Sequence, residues 1–573
     1  MDKSSVISVR ENRLAWRGDR PLIASLAAET YCDPSQVWQQ IVRNRGLEDR
    51  PEWFTPQLAH LPDPSGMRDA DRAAERLSVA IREQEMVHIF GDFDADGVNA
   101  TAILIEGLEA AGLTVSWNVP HRSEQGHGID LQQVAIQAAA GCKLGISCDT
   151  GISCVEAAAS AKALGMDLII TDHHLPPAQL PDAFAILNPA REDCGFAGRK
   201  LCGCGVAFYL LLALWKRLRA DGCVPNYDLK QLLDRVAVAT IADMMELTGI
   251  NRILVYHGLK RLGQVPSVGM AALLQLAGVA DHEQPMVVKT VSFQIAPRIN
   301  AASRMGHGEV AVRLLINRST EEAMAMAKTL DGLNKERRVV EAATTKQAAS
   351  RMQSGAVLAA FDPDWHPGVV GLAAGKLARR FHQPAAIGYL GEDGNIHLSL
   401  RGVTGFHIAR LLDTCSPLLL RHGGHAGAGG CALPQKNWGK FLSAFANAIS
   451  AQLATGAIQS PAMEIDAALT MAATHAGLAD RIARFAPNGK GNPPCRLLLM
   501  ESEIVSVKVV RGGALSIKLR DHTAFISAIA FHPGPLVELL VVGAKLALIG
   551  ELQRDQWRGG DAVQLVIEDA WIG

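Results

Sequence analysis

Long apolar runs are the first thing missing from these 573 residues. The longest, "GVAFYLLLALW" at 205–215, is about half of the ~20 residues that a bilayer crossing needs, and it leads into "KRLR". The opening "MDKSSVISVRENR" lacks the apolar stretch of a secretory signal. Both absences predict a soluble, cytoplasmic protein with no membrane partner. An excess of one charge is missing too. With 58 acidic residues against 56 basic ones, no global field advertises a polyanion, and nucleic-acid binding has to come from a local groove. Cysteine is present without a framework. The 11 thiols are an odd, scattered set with no C-x2-C pair. They exclude a disulfide scaffold and argue against zinc at Cys194, Cys202, Cys204 and Cys223. Internal repeats and low-complexity tracts are absent.

Length predicts roughly three to five domains. From residue 86 onward, strand-like and helix-like segments alternate. "MVHIF" (86–90), "LTVSWNVP", "LGISCDT" (144–150) and "MDLIITDHH" (166–174) read as strands, separated by the helical "VNATAILIEGLEAAG" (98–112) and "SCVEAAASAKALG". This rhythm predicts an α/β lobe with a doubly wound parallel sheet. A fourth strand-like run follows at 236–252, "VAVATIADMMELTGINR". The charged stretch 320–352 reads as one long helix joining this lobe to a second α/β lobe. There "GAVLAAFD", "AAIGYLG" and "IHLSLRG" are strands, followed by the glycine-rich "RHGGHAGAGG" (421–430). The last hundred residues give five strands, with a short apolar helix at "PLVELLVVG" between the third and fourth. That is the plan of an OB-fold barrel. Expected boundaries are an N-terminal segment 1–50 without a readable motif, a first lobe 51–317, a connecting helix 318–352, a second lobe 353–460 and a barrel 461–573.

In "FGDFDADGVNA" (90–100), Asp92, Asp94 and Asp96 stand two apart before Gly97. An EF-hand calcium loop begins this way. It also needs Glu at the twelfth position, which is Ile103 here, and a preceding helix where this chain has a strand. Doubly wound sheets gather their chemistry at the carboxyl ends of the strands. Asp92, Asp94, Asp96, Asp149, Asp172, His173 and His174 all fall there, and Asp243 follows the fourth run. Carboxylates with imidazole and no thiolate suit Mg²⁺ or Mn²⁺, and so many acids suit two ions. A pair of ions about 3.5–4 Å apart fits phosphodiester hydrolysis.

The segments "GDFDADG", "SCDTG", "TDHH" and "ATIADMMELTGINR", in that order, resemble the four acidic motifs of the DHH phosphoesterase family. "HPGVVGLAAGKLARRFHQPA" (366–385), "LSLRG" and "RHGGHAGAGG" resemble the accompanying DHHA1 domain, and "APNGKGNPPC" (486–495) the motif before the terminal barrel. The resemblance covers nearly the whole chain from about residue 50. It implies a DHH lobe, a DHHA1 lobe and an OB-fold, in the branch that degrades single-stranded DNA.

By the same resemblance, the metal ligands are Asp94, Asp96, Asp149, His173 and Asp243, with Asp92 in or beside the shell. His174 is expected to face the scissile phosphate. The general family pattern has histidine where this chain has Phe90, so the first metal site leans on Asp92, and His88 reads as structural. Arg122, in "VPHRSEQGHGI", and Arg298 and Arg304, in "APRINAASRMG", are expected to contact the DNA backbone. Ser399 and Arg401 match the position that binds a 5′-terminal phosphate, and the amides of Gly423, Gly424 and His425 are expected to cradle phosphate.

The implied activity is 5′→3′ hydrolysis of single-stranded DNA to mononucleotides in repair and recombination. The enzyme is expected to act as a monomer supplied by a helicase and a single-strand-binding protein. Two alternatives stay open: a DHH phosphodiesterase for short oligonucleotides or cyclic dinucleotides, and a non-catalytic nucleic-acid scaffold. The first lacks the β-rich tail, and the second would have lost its ligands.

Overall fold

The computed structural model describes residues 6–7, 13–17, 30–120, 128–196, 198–279, 285–306, 308–352, 357–454 and 462–571. The chain forms two compact units, one of residues 58–458 and one of 1–57 with 459–573. No helix among the described residues is long and apolar enough to cross a membrane.

The larger unit opens with a five-stranded sheet: β1 (Met86–Phe90), β2 (Thr114–Asn118), β3 (Leu144–Cys148), β4 (Asp167–Thr171) and β5 (Ala185–Leu187). The order is β2-β1-β3-β4-β5 and every pairing is parallel. Side chains alternate across the pleat. Val87, Ile89, Leu144 and Ile146 join the core beneath α1 (Ala95–Ala110) and α4 (Gly203–Ala220). Phe90, Leu168 and Ile170 join the opposite core beneath α2 (Leu131–Ala139) and α3 (Val155–Ala163). Strand order reverses between β1 and β3, which opens a crevice at their carboxyl ends.

The run at 236–252 is not a fourth strand. Residues Leu233–Ala242 form helix α5, capped at its C-terminus by Asp243. This helix is buried on all sides against its neighbours, so its run from Val236 to Ala242 carries apolar residues on every face, and periodicity cannot separate such a helix from a buried strand.

Helix α6 (Ala296–Arg304) and the 32-residue helix α7 (Thr320–Arg351) lead to the second lobe. That lobe consists of β6 (Leu358–Phe361), α8 (Pro367–Phe381), β7 (Ala385–Leu390), β8 (Asn395–Arg401), β9 (Arg421–Gly424) and β10 (Ala428–Pro434). Its strands are ordered β9-β10-β8-β7-β6, with only β6 and β7 parallel.

In the smaller unit β11 (Leu497–Val509), β12 (Leu515–Arg520), β13 (Phe525–Ala530), β14 (Lys545–Arg554) and β15 (Val563–Trp571) close into a barrel through the β11–β12 pairing. The expected helix between β13 and β14 is a single 3₁₀ turn, Gly534–Glu538. The N-terminal segment belongs to this unit. Thr30 and Tyr31 extend its sheet, and Trp38 and Phe54 pack their rings on Phe485. The fully buried Asp466 carboxylate receives Arg17 at 2.7 Å and Arg45 at 2.9 and 3.0 Å.

Candidate metal centre and cleft

The turn after β1 enters the crevice and starts α1. Asp94 is the N-cap, and its Oδ1 accepts from the amides of Asp96 (2.8 Å) and Gly97 (3.2 Å). Gly97 is required here, because a Cβ would lie 2.6 Å from Asp92 Cβ. Asp96 is pinned from across the crevice. Its two oxygens accept the amides of Gly203 and Cys204, each at 2.8 Å, at the start of α4, where the helix dipole favours a carboxylate. Asp149, just beyond β3, is held at φ 61°, a left-handed conformation that is uncommon outside glycine. A side chain at Gly203 would sit 2.3 Å from Asp149 Oδ1, so α4 can approach only because that residue has none.

These elements bring together six expected ligands. Oxygens of Asp92, Asp94 and Asp149 form one group within 4.8 Å, and Asp96, His173 and Asp243 form another. Asp149 also groups with His173 and His174, so it stands between the two sets. His173 Nε2 lies 3.2 Å from Asp149 Oδ1 and 3.8 Å from both Asp96 Oδ2 and Asp243 Oδ2. Phe90 supplies no ligand. Its ring packs edge-on against His88, which bridges Ser116 Oγ (2.7 Å) and Asn118 Oδ1 (2.8 Å) as a buried structural residue.

The electrostatics call for a cation. Burial, and then the charges of Asp92 and Asp96, push the Asp94 carboxyl up to about 6. Burial followed by Asp96, Asp94 and Asp92 raises Asp149 well above the usual carboxylate range. Burial lowers the His173 imidazole, which favours the neutral ring that a metal requires. Asp149 Oδ1 is buried without a hydrogen bond, a costly state that a cation would relieve. The donors are oxygen and imidazole nitrogen. The thiol of Cys202, the N-cap of α4, is instead engaged with the Gly205 amide and Thr240. This set fits Mg²⁺ or Mn²⁺.

His174 points differently. Its Nδ1 lies 2.7 Å from Asp172 Oδ1, and that bond pushes the imidazole up to about 9. Burial alone would raise Asp172, but His174 and the amides of Ile152 and His174 bring it below its ordinary value. The reading of the sequence placed Asp172 on the strand end without a role; its signal was its position two residues before His174.

The residues expected to bind substrate divide. A cleft of about 690 Å³ between the lobes is lined by Arg304, His366, Tyr389, Ser399, Arg421 and Gly423, among others. Arg401, two residues beyond Ser399 on β8, stands against α8, with its guanidinium 3.1 Å from where a Gly371 side chain would begin. Arg298 turns elsewhere: it pairs with Asp331 at 2.9 Å and donates to the Gln294 carbonyl. The glycine-rich stretch is a hairpin, not an open cradle. The His425 amide donates to Ala428 O, and the Gly427 amide to His425 Nδ1. Arg122 lies outside the described residues. Arg421, His366 and Tyr389 line the cleft but were not singled out from the sequence; Arg421 opens the glycine-rich stretch 421–430 and was the most findable.

Known proteins place this geometry. Residues 86–240 match the DHH family N-terminal domain, 354–451 the DHHA1 domain and 465–569 the RecJ OB domain. A single-stranded-DNA-specific exonuclease RecJ of Salmonella typhimurium is 33% identical over 96% of this chain and 98% of its own length. The crystal structure of Thermus thermophilus RecJ with Mn²⁺ is 28% identical and superposes with a TM-score of 0.78, covering 98% of this chain and 80% of that one. The same protein with Mg²⁺ gives 26% identity and a TM-score of 0.71, over 98% and 79% of the two chains. The chain belongs to the RecJ family of single-stranded-DNA-specific exonucleases.

Proposed function

We propose that this chain is a metal-dependent exonuclease that degrades single-stranded DNA in the 5′→3′ direction to 5′-mononucleotides. The observation that carries the reading is the pair of ligand sets meeting at Asp149. Asp92, Asp94 and Asp149 would hold one cation, and Asp96, His173 and Asp243 the other. Divalent ions there would supply Lewis acidity, making water nucleophilic near neutral pH and drawing charge from the phosphate.

The protein's own groups do the rest. The protonated His174, held by Asp172, donates to a non-bridging oxygen of the scissile phosphate as its charge grows. Arg304, Arg421 and Ser399 receive the 5′-terminal phosphate in the cleft. An Arg fork matches phosphate geometry. Support for a one-nucleotide product comes from α6. Asn300, which touches the acidic turn, and Arg304, which lines the cleft, are one helical turn apart, about 6 Å along the axis. Arg298, taken up by Asp331, is assigned to holding α6 on α7. In the cell the enzyme would act in the cytoplasm as a monomer in repair and recombination, on strands opened by a helicase and covered by a single-strand-binding protein.

The test is an oligonucleotide labelled distinguishably at its two ends, single-stranded or duplexed, with Mn²⁺, beside Asp94→Ala and a metal-free control. Early release of mononucleotide from the 5′ end of the single strand alone, absent from both controls, is expected. Intact single strands of every length would end the exonuclease reading, and release from the 3′ end would reverse its polarity.

A further inference from the structure

The first four backbone N–H groups of a helix have no partner inside it, and α1 begins among the carboxylates. Val98 N–H makes the first intrahelical bond, to Asp94 O at 2.8 Å, and the amides of Asp96 and Gly97 ahead of it are capped by Asp94 Oδ1. Ala95 N–H lies between two expected ligands, and its partner comes from outside the turn: it donates at 2.9 Å to Asn300 Oδ1 on α6, 205 positions later. One turn further, on the same face, Arg304 donates to the Gly368 carbonyl in the first turn of α8, at 3.1 Å. Helix α6 is therefore fixed at its middle to the acidic turn and at its C-terminal end to the second lobe.

We propose that Asn300 is a positioning residue for the metal centre, acting through Ala95 to set the Asp94–Asp96 turn. Ala95 is buried. Without the Asn300 acceptor its N–H would be left unsatisfied in a dry site, and only movement of the turn could relieve it. Metal constellations tolerate displacements of about 0.5 Å, so a small movement of this turn misplaces two carboxylates at once. The inference rests on the metal centre proposed above.

Two variants of similar volume separate positioning from simple packing. Asn300→Leu removes the acceptor and Asn300→Asp keeps an acceptor oxygen in place. Mn²⁺ affinity of the full chain is measured by calorimetry, alongside metal-free thermal stability and steady-state kinetics on single-stranded DNA. Asn300→Leu is expected to weaken Mn²⁺ binding by about tenfold or more and to lower kcat while KM holds. Asn300→Asp is expected to bind Mn²⁺ nearly as the parent does. Parent-like Mn²⁺ affinity in Asn300→Leu, or equal losses in both variants, overturns the proposal. If Asn300→Leu does not fold, Asn300→Ser is judged by the same criteria. Asp94→Ala distinguishes the two levels of failure. Undiminished Mn²⁺ binding there sinks the metal centre itself, whereas loss there with none in Asn300→Leu sinks only the role of Asn300.

Discussion

Asp172 holds the His174 ring at 2.7 Å while accepting the backbone amides of Ile152, His173 and His174. A carboxylate anchored this firmly fixes both the charge and the direction of the imidazole. Replacing His174 by Gln is expected to lower kcat by about 10²–10³, the range for a lost transition-state donor. Because Asp172 acts through His174, the double variant Asp172→Asn, His174→Gln should lose no more than His174→Gln alone. Additive losses in the cycle would show that Asp172 has work of its own.

Repulsion among Asp92, Asp94, Asp96 and Asp149 predicts a conflict between activity and stability. In metal-free protein, Asp94→Asn should raise the melting temperature by roughly 1 °C, as relief worth about 1 kcal/mol would in a unit of some 400 residues, while abolishing hydrolysis. Wild type should gain stability from Mn²⁺, about 2.7 kcal/mol at one hundred times Kd, and Asp94→Asn far less. Scanning calorimetry with and without chelator decides both.

Gly203→Ala tests the close approach of α4 to Asp149. The added methyl cannot share space with Asp149 Oδ1, so the carboxylate must turn out of its group. Mn²⁺ affinity is expected to fall about 10–100-fold, as for other displaced ligand supports, with the circular dichroism spectrum unchanged.

The two arginines of α6 should behave oppositely. Arg304→Ala is expected to raise KM for 5′-phosphorylated single strands, because its side chain lines the cleft. Arg298→Ala is expected to leave KM unaltered and to lower thermal stability, because its partner is Asp331. A KM effect from Arg298→Ala would return that residue to the substrate path.

The barrel carries a pH dependence of its own. Burial, and then the neighbouring Glu568, raise Glu551 from 4.5 to about 7. Between those values the folded barrel binds a proton that the unfolded chain releases, so stability falls as pH rises across the window and the loss is complete above about 7. Glu551→Gln should flatten this slope, which denaturant unfolding at pH 5.5 and pH 8 would read.

Much of the first lobe was legible because its strands alternate with helices and end in acids, and position along a parallel sheet is enough to gather Asp94, Asp149 and His173. Asp243 was found for the wrong local reason, at the end of a supposed strand. Burial on every side removes the periodicity that distinguishes helix α5, although its C-terminus delivers the carboxylate to the same place. The glycine run announced a close approach but not that its amides pair with one another as a hairpin. Asn300 and the pairing of Arg45 with Asp466 left no local trace, since each partner lies hundreds of residues away.

That last pairing has a consequence for how the molecule comes into being. Arg45 and Asp466 are 421 positions apart, and at translation rates of about 5–20 residues per second the interval between them is roughly 20–80 s. Through it, Trp38 and Phe54 wait without the Phe485 surface they finally cover, while the residues of the larger unit are completed first. The early chain is thus seated late, and slow synthesis or a stalled ribosome would prolong the exposure of an apolar segment long before any barrel exists to receive it.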